Sequence, residues 1–220
     1  MNTFIPRLIS PKVEKAHKYY PVIVITGPRQ SGKSTLCRNL FSTYKYVNLE
    51  FIPTRTHALT DPVGFIDDLG EYVIIDEVQY APDLLSIIQV RVDENKKLRY
   101  ILTGSNNFSL LKSVTQSLAG RAAVFTLLPF SFREMSGTEL AKSIDTLMLQ
   151  GQYPGVLVDE ISPEFFFRNY YTTYIERDLR DLINLKNLVA FDKFVRLLAT
   201  RVGAEFNASA ISREVGVTSK

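Results

Sequence analysis

Cys37 is the chain's single cysteine, so no intramolecular disulfide framework can hold the fold together, and the composition suits a reducing compartment. With Leu36 beside it and Leu40 and Phe41 at helical spacing, it reads as a packed core thiol rather than a redox sensor. Histidine is almost as scarce. His17 and His57 have no partner cysteines, so a zinc site has no ligand set, and both are expected at the surface. No stretch of about 18 apolar residues occurs, and the opening residues MNTFIPRLISPKVEKAHKYY lack the apolar segment of a secretion signal. A soluble, cytoplasmic protein without a membrane association is expected. Long runs of one charge are also missing: 26 basic and 23 acidic residues leave a net charge of +3, so a dedicated polyanion-binding tail has no support.

What is present is an ordinary globular composition, 45% hydrophobic and 22% charged over 220 residues, enough for one good core and a smaller second unit. The most informative segment is GPRQSGKST, Gly27-Pro28-Arg29-Gln30-Ser31-Gly32-Lys33-Ser34-Thr35, directly after the apolar run Pro21 to Thr26. Glycine at positions 27 and 32 lets successive amide N–H groups turn toward phosphate oxygens. Lys33 then supplies a point charge for the β- and γ-phosphates, Ser34 a hydroxyl for Mg²⁺, and the following helix its positive N-terminal end. The segment therefore points to a nucleoside triphosphate.

The expected partner of such a loop is an acid at the end of another buried strand. Tyr72-Val-Ile-Ile-Asp76-Glu77 fits, with Asp76 holding the Mg²⁺ shell mostly through water and Glu77 orienting or deprotonating the attacking water. Arg99-Tyr-Ile-Leu-Thr-Gly-Ser105-Asn106-Asn107 again places apolar residues before a polar cluster. There, Ser105 or Asn106 can sense the γ-phosphate, or the cluster can be a turn that caps the next helix. Arg121, at the end of Ser117-Leu-Ala-Gly-Arg121, has two readings. It is an arginine finger supplied by its own or a neighbouring subunit, or a cation complementing a helix C-terminus. Glu50, after the strand Tyr44 to Leu49, reads as an exposed carboxylate.

Element grammar sets the architecture. Ser10-Pro11 reads as an N-cap and first helical position, opening a helix to about Tyr19. Strand Val22 to Thr26, helix Lys33 to Phe41 and strand Tyr44 to Leu49 follow, then a loop with one short helix across Phe51 to Gly70, broken by Pro53, Pro62 and Gly64. Pro82 opens a helix carrying Leu84, Leu85, Ile88 and Val92 on one side, and Ala122 to Leu128 is a further strand. Such alternation predicts an α/β fold, a P-loop NTPase parallel sheet sandwiched by helices over residues 1–135. Residues 136–220 read as a mainly α-helical second domain, with amphipathic stretches Pro163 to Leu182 and Leu188 to Val202. Its aromatic cluster Phe165-Phe166-Phe167, Tyr170, Tyr171 and Tyr174 reads as core rather than as base-stacking surface, and the charges Arg177, Asp178, Arg180 and Asp181 as a solvated face. The last residues, from Asn207, resemble the first helix and turn of a helix-turn-helix whose recognition helix would begin near Thr218, so the chain is expected to be part of a longer protein.

Taken together, GPRQSGKST, VIIDEVQ, ILTGSNN, SLAGR, LLPFSFREM, the QYPGV turn and YYTTYIERDLRDL resemble a family of prokaryotic AAA-type ATPases, in which the ATPase domain is followed by a helical domain of unknown function. The resemblance covers nearly the whole chain. It implies ATP rather than GTP, Mg²⁺, the roles given above to Lys33, Ser34, Asp76 and Glu77, and a winged-helix-like region in the second domain. One departure is Gln152, where the family commonly has a second glycine, so no function is assigned to that turn. The activity expected is Mg²⁺-dependent ATP hydrolysis coupled to a domain that binds DNA or protein, in a possible homo-oligomer. The alternatives are an ATP-controlled binding module that does not hydrolyse, and a phosphotransferase, against which Glu77 beside Asp76 counts.

Overall fold

The computed structural model describes residues 4–105, 114, 116–174 and 188–217. It divides into two compact units, Met1–Phe167 and Arg168–Lys220. The first is built on a five-stranded, wholly parallel sheet. Its strands are Val22–Thr26 (β1), Lys45–Asn48 (β2), Tyr72–Asp76 (β3), Arg99–Thr103 (β4) and Ala122–Thr126 (β5). The spatial order is β2-β3-β4-β1-β5, so β1 is an inner strand and its carboxyl end opens between β4 and β5.

Both faces of the sheet are covered, which is why its inner strands read as continuous apolar runs instead of alternating ones. Val22, Val24, Val73, Ile75, Tyr100 and Leu102 face one side. They pack under Ile52–Thr60 (α3), Pro62–Asp67 (α4) and Leu84–Glu94 (α5), with Leu84, Leu85, Ile88 and Val92 pointing inward. Ile23, Ile25, Ile74 and Ile101 face the other side, under Ser10–His17 (α1) and Lys33–Leu40 (α2), where Cys37 is fully buried as expected of a core thiol.

Three local expectations are corrected. Residues 51–70 hold two helices, not a loop with one, because Pro53 and Pro62 each sit at the first turn of a helix, where no backbone donor is missed. Asp61 adds an N-cap by accepting from the Gly64 N–H at 2.9 Å. Ser10 does not cap α1: Ile9 precedes it already in helical conformation, and the Ser10 hydroxyl is buried without a hydrogen-bond partner among the described residues. His17 is not a plain surface residue. It is half-buried, bonded to the Tyr44 hydroxyl at 2.7 Å and packed on Phe41, whereas His57 is exposed.

Beyond β5 the first unit continues through Phe132–Met135 (α6), Ile144–Gln150 (α7) and Pro154–Leu157 (α8) into the start of Pro163–Tyr174 (α9). Phe130, Met135, Leu147 and Leu157 form a small core there with Ile5. Phe166 is buried and stacks on Tyr153 and Phe167, while Phe165 is exposed, so the aromatic cluster is core only in part. In the second unit, Leu188–Ala199 (α10) packs on Ala208–Val215 (α11) through Ala190, Ile211 and Val215. The Asn207 side chain caps α11, accepting from the Ala210 N–H at 2.9 Å, and Gly216 ends it at φ +84°. Residues 177–181 and Thr218 lie outside the described residues, and no described helix is long and apolar enough to cross a membrane.

Candidate functional site

The loop from Gly27 to Thr35 leaves the carboxyl end of β1 and enters α2, so it lies at the sheet edge where parallel strands present ligand sites. Gly27 has φ +142°, and a Cβ there would stand 2.1 Å from the Leu127 carbonyl oxygen. No side chain fits. Gln30 at φ +58° and Gly32 at φ +93° complete the reversal that starts the helix. Lys33 is buried and donates to the carbonyls of Gly27 at 3.2 Å and Pro28 at 3.0 Å. Burial pushes its ammonium below the ordinary lysine value, against the pull of Glu77 and Asp76. The Ser31 hydroxyl is buried in the same loop without a partner among the described residues.

Side-chain alternation explains the acidic half. Asp76 shares a face of β3 with Ile74, and Tyr46 of β2 is registered against Ile74. On β4, Thr103 shares that face with Ile101, which is registered against Ile74. Tyr46, Asp76 and Thr103 thus converge on the α2 side of the sheet, and all three are hydrogen-bonded. The Thr103 hydroxyl donates to Asp76 Oδ1, and the Tyr46 hydroxyl donates to Asp76 Oδ2 at 2.5 Å. Burial and the bond to Asp76 raise the Tyr46 phenol far above its ordinary value, which keeps it a donor. Neither Tyr46 nor Thr103 stands out in the sequence, where both read as strand residues.

Glu77 adopts a left-handed backbone, φ +59° and ψ +47°, which a non-glycine residue takes at a cost of about 1–2 kcal/mol. Its N–H donates to the Thr103 hydroxyl at 3.3 Å. The turn brings Glu77 to the wall of a cavity of 440 Å³ shared with Gln30, Gly32, Lys33, Ser34 and Thr35. A smaller cavity of 250 Å³ adjoins it, sharing Gly32, Thr35 and Pro154 and lined by Phe4, Ile5 and Phe130. Pro154 and Gly155 belong to the turn to which no function was assigned. They border the phosphate loop because Gly155 lies flat on Phe166, where a Cβ would come within 2.7 Å of the ring.

Arg7, which sequence reasoning passed over, braces this assembly. Its guanidinium donates to the Ser31 carbonyl at 2.9 Å, the Leu128 carbonyl at 2.6 Å and Glu134 at 3.2 Å, and it lies over the Phe130 ring at 4.5 Å. Burial lowers its basicity and Glu134 restores part of it. Arg29 pairs with Glu50 at 3.9 Å, so the carboxylate after β2 meets the loop rather than solvent alone.

Arg121 lies elsewhere. It precedes β5, and its carbonyl accepts from Val22 N–H at the start of β1, which puts it about 16 Å of strand away from the loop. Its guanidinium holds Asp93 in a two-pronged pair at 2.6–2.9 Å. An arginine finger acting within its own chain is ruled out by this placement. Ser105 stands at the end of β4 within reach of Gln79, and Asn106 lies outside the described residues.

Among the described residues, no cluster of three or more His, Cys, Asp or Glu could hold a metal alone. The Ser34 hydroxyl at the start of α2 and the Asp76 carboxylate on the same side of the sheet instead fit a hard cation that keeps most of its shell as water and phosphate oxygen, as Mg²⁺ does.

Residues 19–136 match the family described as an AAA domain, and residues 141–220 match a domain of unknown function, DUF8612. Uncharacterized proteins of Mycobacterium tuberculosis and Mycobacterium bovis are each 28% identical over 218 residues, covering 94% of this chain and 47% of their own length. The chain therefore spans about half the length of these curated relatives. A Walker-type ATPase of Pyrococcus abyssi shares the fold, with a TM-score of 0.54 at 16% identity over 97% of this chain and 89% of its own.

Proposed function

The chain belongs to the AAA domain family, and from that membership we propose that it binds ATP with Mg²⁺ and hydrolyses it in the cytoplasm. The observation that carries this reading is the convergence of Lys33, Ser34 and Glu77 on one cavity, with Asp76 fixed by Tyr46 and Thr103 on the α2 side of the sheet. The 440 Å³ cavity takes the phosphates, against the amides of Gly27 to Thr35 and the Lys33 ammonium. The adjoining cavity, with Phe4, Ile5 and Phe130 on its walls, takes the base.

When bound, Mg²⁺ would supply positive charge that offsets the charge on the phosphates. Ser34 and Asp76 would hold it, and the Thr103 and Tyr46 hydroxyls fix the Asp76 carboxylate for that task. Lys33 releases the carbonyls of Gly27 and Pro28 to meet phosphate. Glu77 accepts a proton from water as the water oxygen bonds to the γ-phosphorus and the bond to the β-phosphate bridging oxygen breaks, giving ADP and phosphate. Ser105 or Asn106 reports loss of the γ-phosphate. Arg121 serves such a reaction only from a neighbouring subunit of a homo-oligomer, after exchanging Asp93 for phosphate. The capped helix at Asn207 and the turn at Gly216 support a helix-turn-helix part that engages DNA or protein according to nucleotide state.

The test is phosphate release with Mg²⁺ and ATP, measured with nucleotide affinity on the same samples. Glu77→Gln is expected to lose about 100-fold or more in turnover while keeping affinity, and Lys33→Ala to lose both. Equal turnover in Glu77→Gln and the unmodified protein refutes the reading. Tight binding without turnover in the unmodified protein establishes the non-hydrolysing regulatory module instead.

A further inference from the structure

The short turn Val78–Tyr80 that follows Glu77 places a side chain to which the sequence pattern gives no role. Gln79 Nε2 donates to Glu77 Oε2 and reaches the Ser105 hydroxyl at 3.4 Å. The orientation of the amide is fixed by chemistry, since an ionised carboxylate accepts only and must face the NH₂ end. Its other end, Oε1, is buried with no hydrogen-bond partner among the described residues. A buried amide normally settles where both ends are satisfied. Among the described residues the carbonyl has no partner, so the bonds found there are those of the donor end, to Glu77 and Ser105.

The link also bridges elements. Glu77 ends the β3 segment on the cavity wall beside Lys33 and Ser34, and Ser105 ends the β4 segment. β3 and β4 are paired as far as Ile75 and Leu102, and the Glu77 N–H reaches the Thr103 hydroxyl, but the side chains of Glu77 and Ser105 extend past that pairing. Gln79 supplies a side-chain contact to both.

We propose that Gln79 is a positioning residue that holds the Glu77 carboxylate for proton abstraction and couples it to Ser105. The proposal rests on the reading of Glu77 as the base. It acts through Glu77: in the attack of water on the γ-phosphorus, the proton still passes to Glu77 and the electron pair of the breaking bond still stays with ADP. Gln79 exchanges no proton. It restricts Glu77 to the geometry from which it can accept, and a shift of Ser105 reaches the base through the same amide.

The experiment uses the protein with Gln79→Met, which keeps the side chain's length and removes both amide atoms. It is combined with Glu77→Gln in a double-mutant cycle. Gln79→Met is expected to lower kcat by about 30-fold with ATP affinity unchanged within about threefold. In the Glu77→Gln background the same change is expected to cost nothing further, because a residue acting only through Glu77 has nothing left to position. Trapping of ADP with aluminium fluoride is expected to weaken in Gln79→Met while binding of ADP alone does not, a readout that a packing role would leave unmoved. Turnover within about twofold of the unmodified protein, a rise in turnover, or an equal loss on both backgrounds overturns the proposal. Equal turnover in Glu77→Gln and the unmodified protein instead removes the base, and with it both readings.

Discussion

Replacing Arg7 by Met tests whether the first residues of the chain are part of the phosphate loop's support. Arg7 and Glu134 retain only 4% and 7% of their side-chain exposure, so their pair is desolvated. Removing one partner of such a pair costs about 3–5 kcal/mol, mainly through the charge left behind. Here that charge keeps other donors: Glu134 still accepts from Leu8 N–H at 2.7 Å, Ser131 N–H at 2.8 Å and the Ser131 hydroxyl at 3.0 Å. The losers are the Ser31 and Leu128 carbonyls, each deprived of a charge-assisted bond, and the Phe130 ring beneath the guanidinium. Two such bonds at about 1.5 kcal/mol each and a cation–π contact of about 1 kcal/mol, less the relieved desolvation of the guanidinium, give a net cost of about 3 kcal/mol. Total stability of a domain this size is about 5–15 kcal/mol, so the loss is readily seen in a urea titration. A cycle with Glu134→Gln is expected to show about 1–2 kcal/mol of coupling. Because Ser31 lies within the loop, ATP affinity is also expected to fall, by about tenfold for a loss of 1.4 kcal/mol. A cost for Arg7→Met under about 1 kcal/mol, with no coupling to Glu134, refutes the assignment.

Two further outcomes follow from local geometry. Gly27→Ala forces a Cβ against the Leu127 carbonyl at a φ that side chains avoid, and is expected to cost about 3 kcal/mol and abolish ATP binding, checked by thermal melting and nucleotide titration. His17 is held below its ordinary value of 6.5, first by burial and then by the charge of Arg99. The unfolded chain therefore takes up a proton that the folded chain refuses, so this contribution is whole above about pH 6.5 and shrinks as pH falls toward the lowered folded value. His17→Phe is expected to flatten that slope in urea titrations at about pH 8 and pH 5.5. An unchanged slope would locate the pH dependence elsewhere.

What could be read from the sequence and what could not differ in kind. The phosphate loop is contiguous, and its chemistry follows from residue type and spacing; Asp76 and Glu77 are announced by the apolar strand that leads into them. The prolines at 53 and 62 misled because the same residue that breaks a helix interior opens a helix at its first turn; at Pro62 the cap Asp61 distinguishes the two, whereas at Pro53 the preceding Phe51 gives no side-chain cap. Tyr46, Thr103 and Arg7 were invisible for another reason. Each acquires its role from a partner at least two dozen residues away: Asp76 for Tyr46 and Thr103, Ser31 and Glu134 for Arg7.

That distance is bridged by register, and register is a property of the sheet. Tyr46 meets Asp76 because β2 lies beside β3 in parallel with Tyr46 opposite Ile74; slipping the pairing by one residue would turn the hydroxyl to the α3–α5 face and leave a buried phenol there without its acceptor. Arg121 shows the converse. Its sequence neighbourhood suggested proximity to phosphate, but strand direction carries the chain from the start of β5 to the ligand edge only after Thr126. Thus the segment that reaches the loop is Leu127 and Leu128, whose carbonyls meet Gly27 and Arg7. In a parallel sheet, residues just before a strand and just after it face opposite ends of the molecule. A polar motif therefore acquires its functional meaning from which end of its strand it occupies.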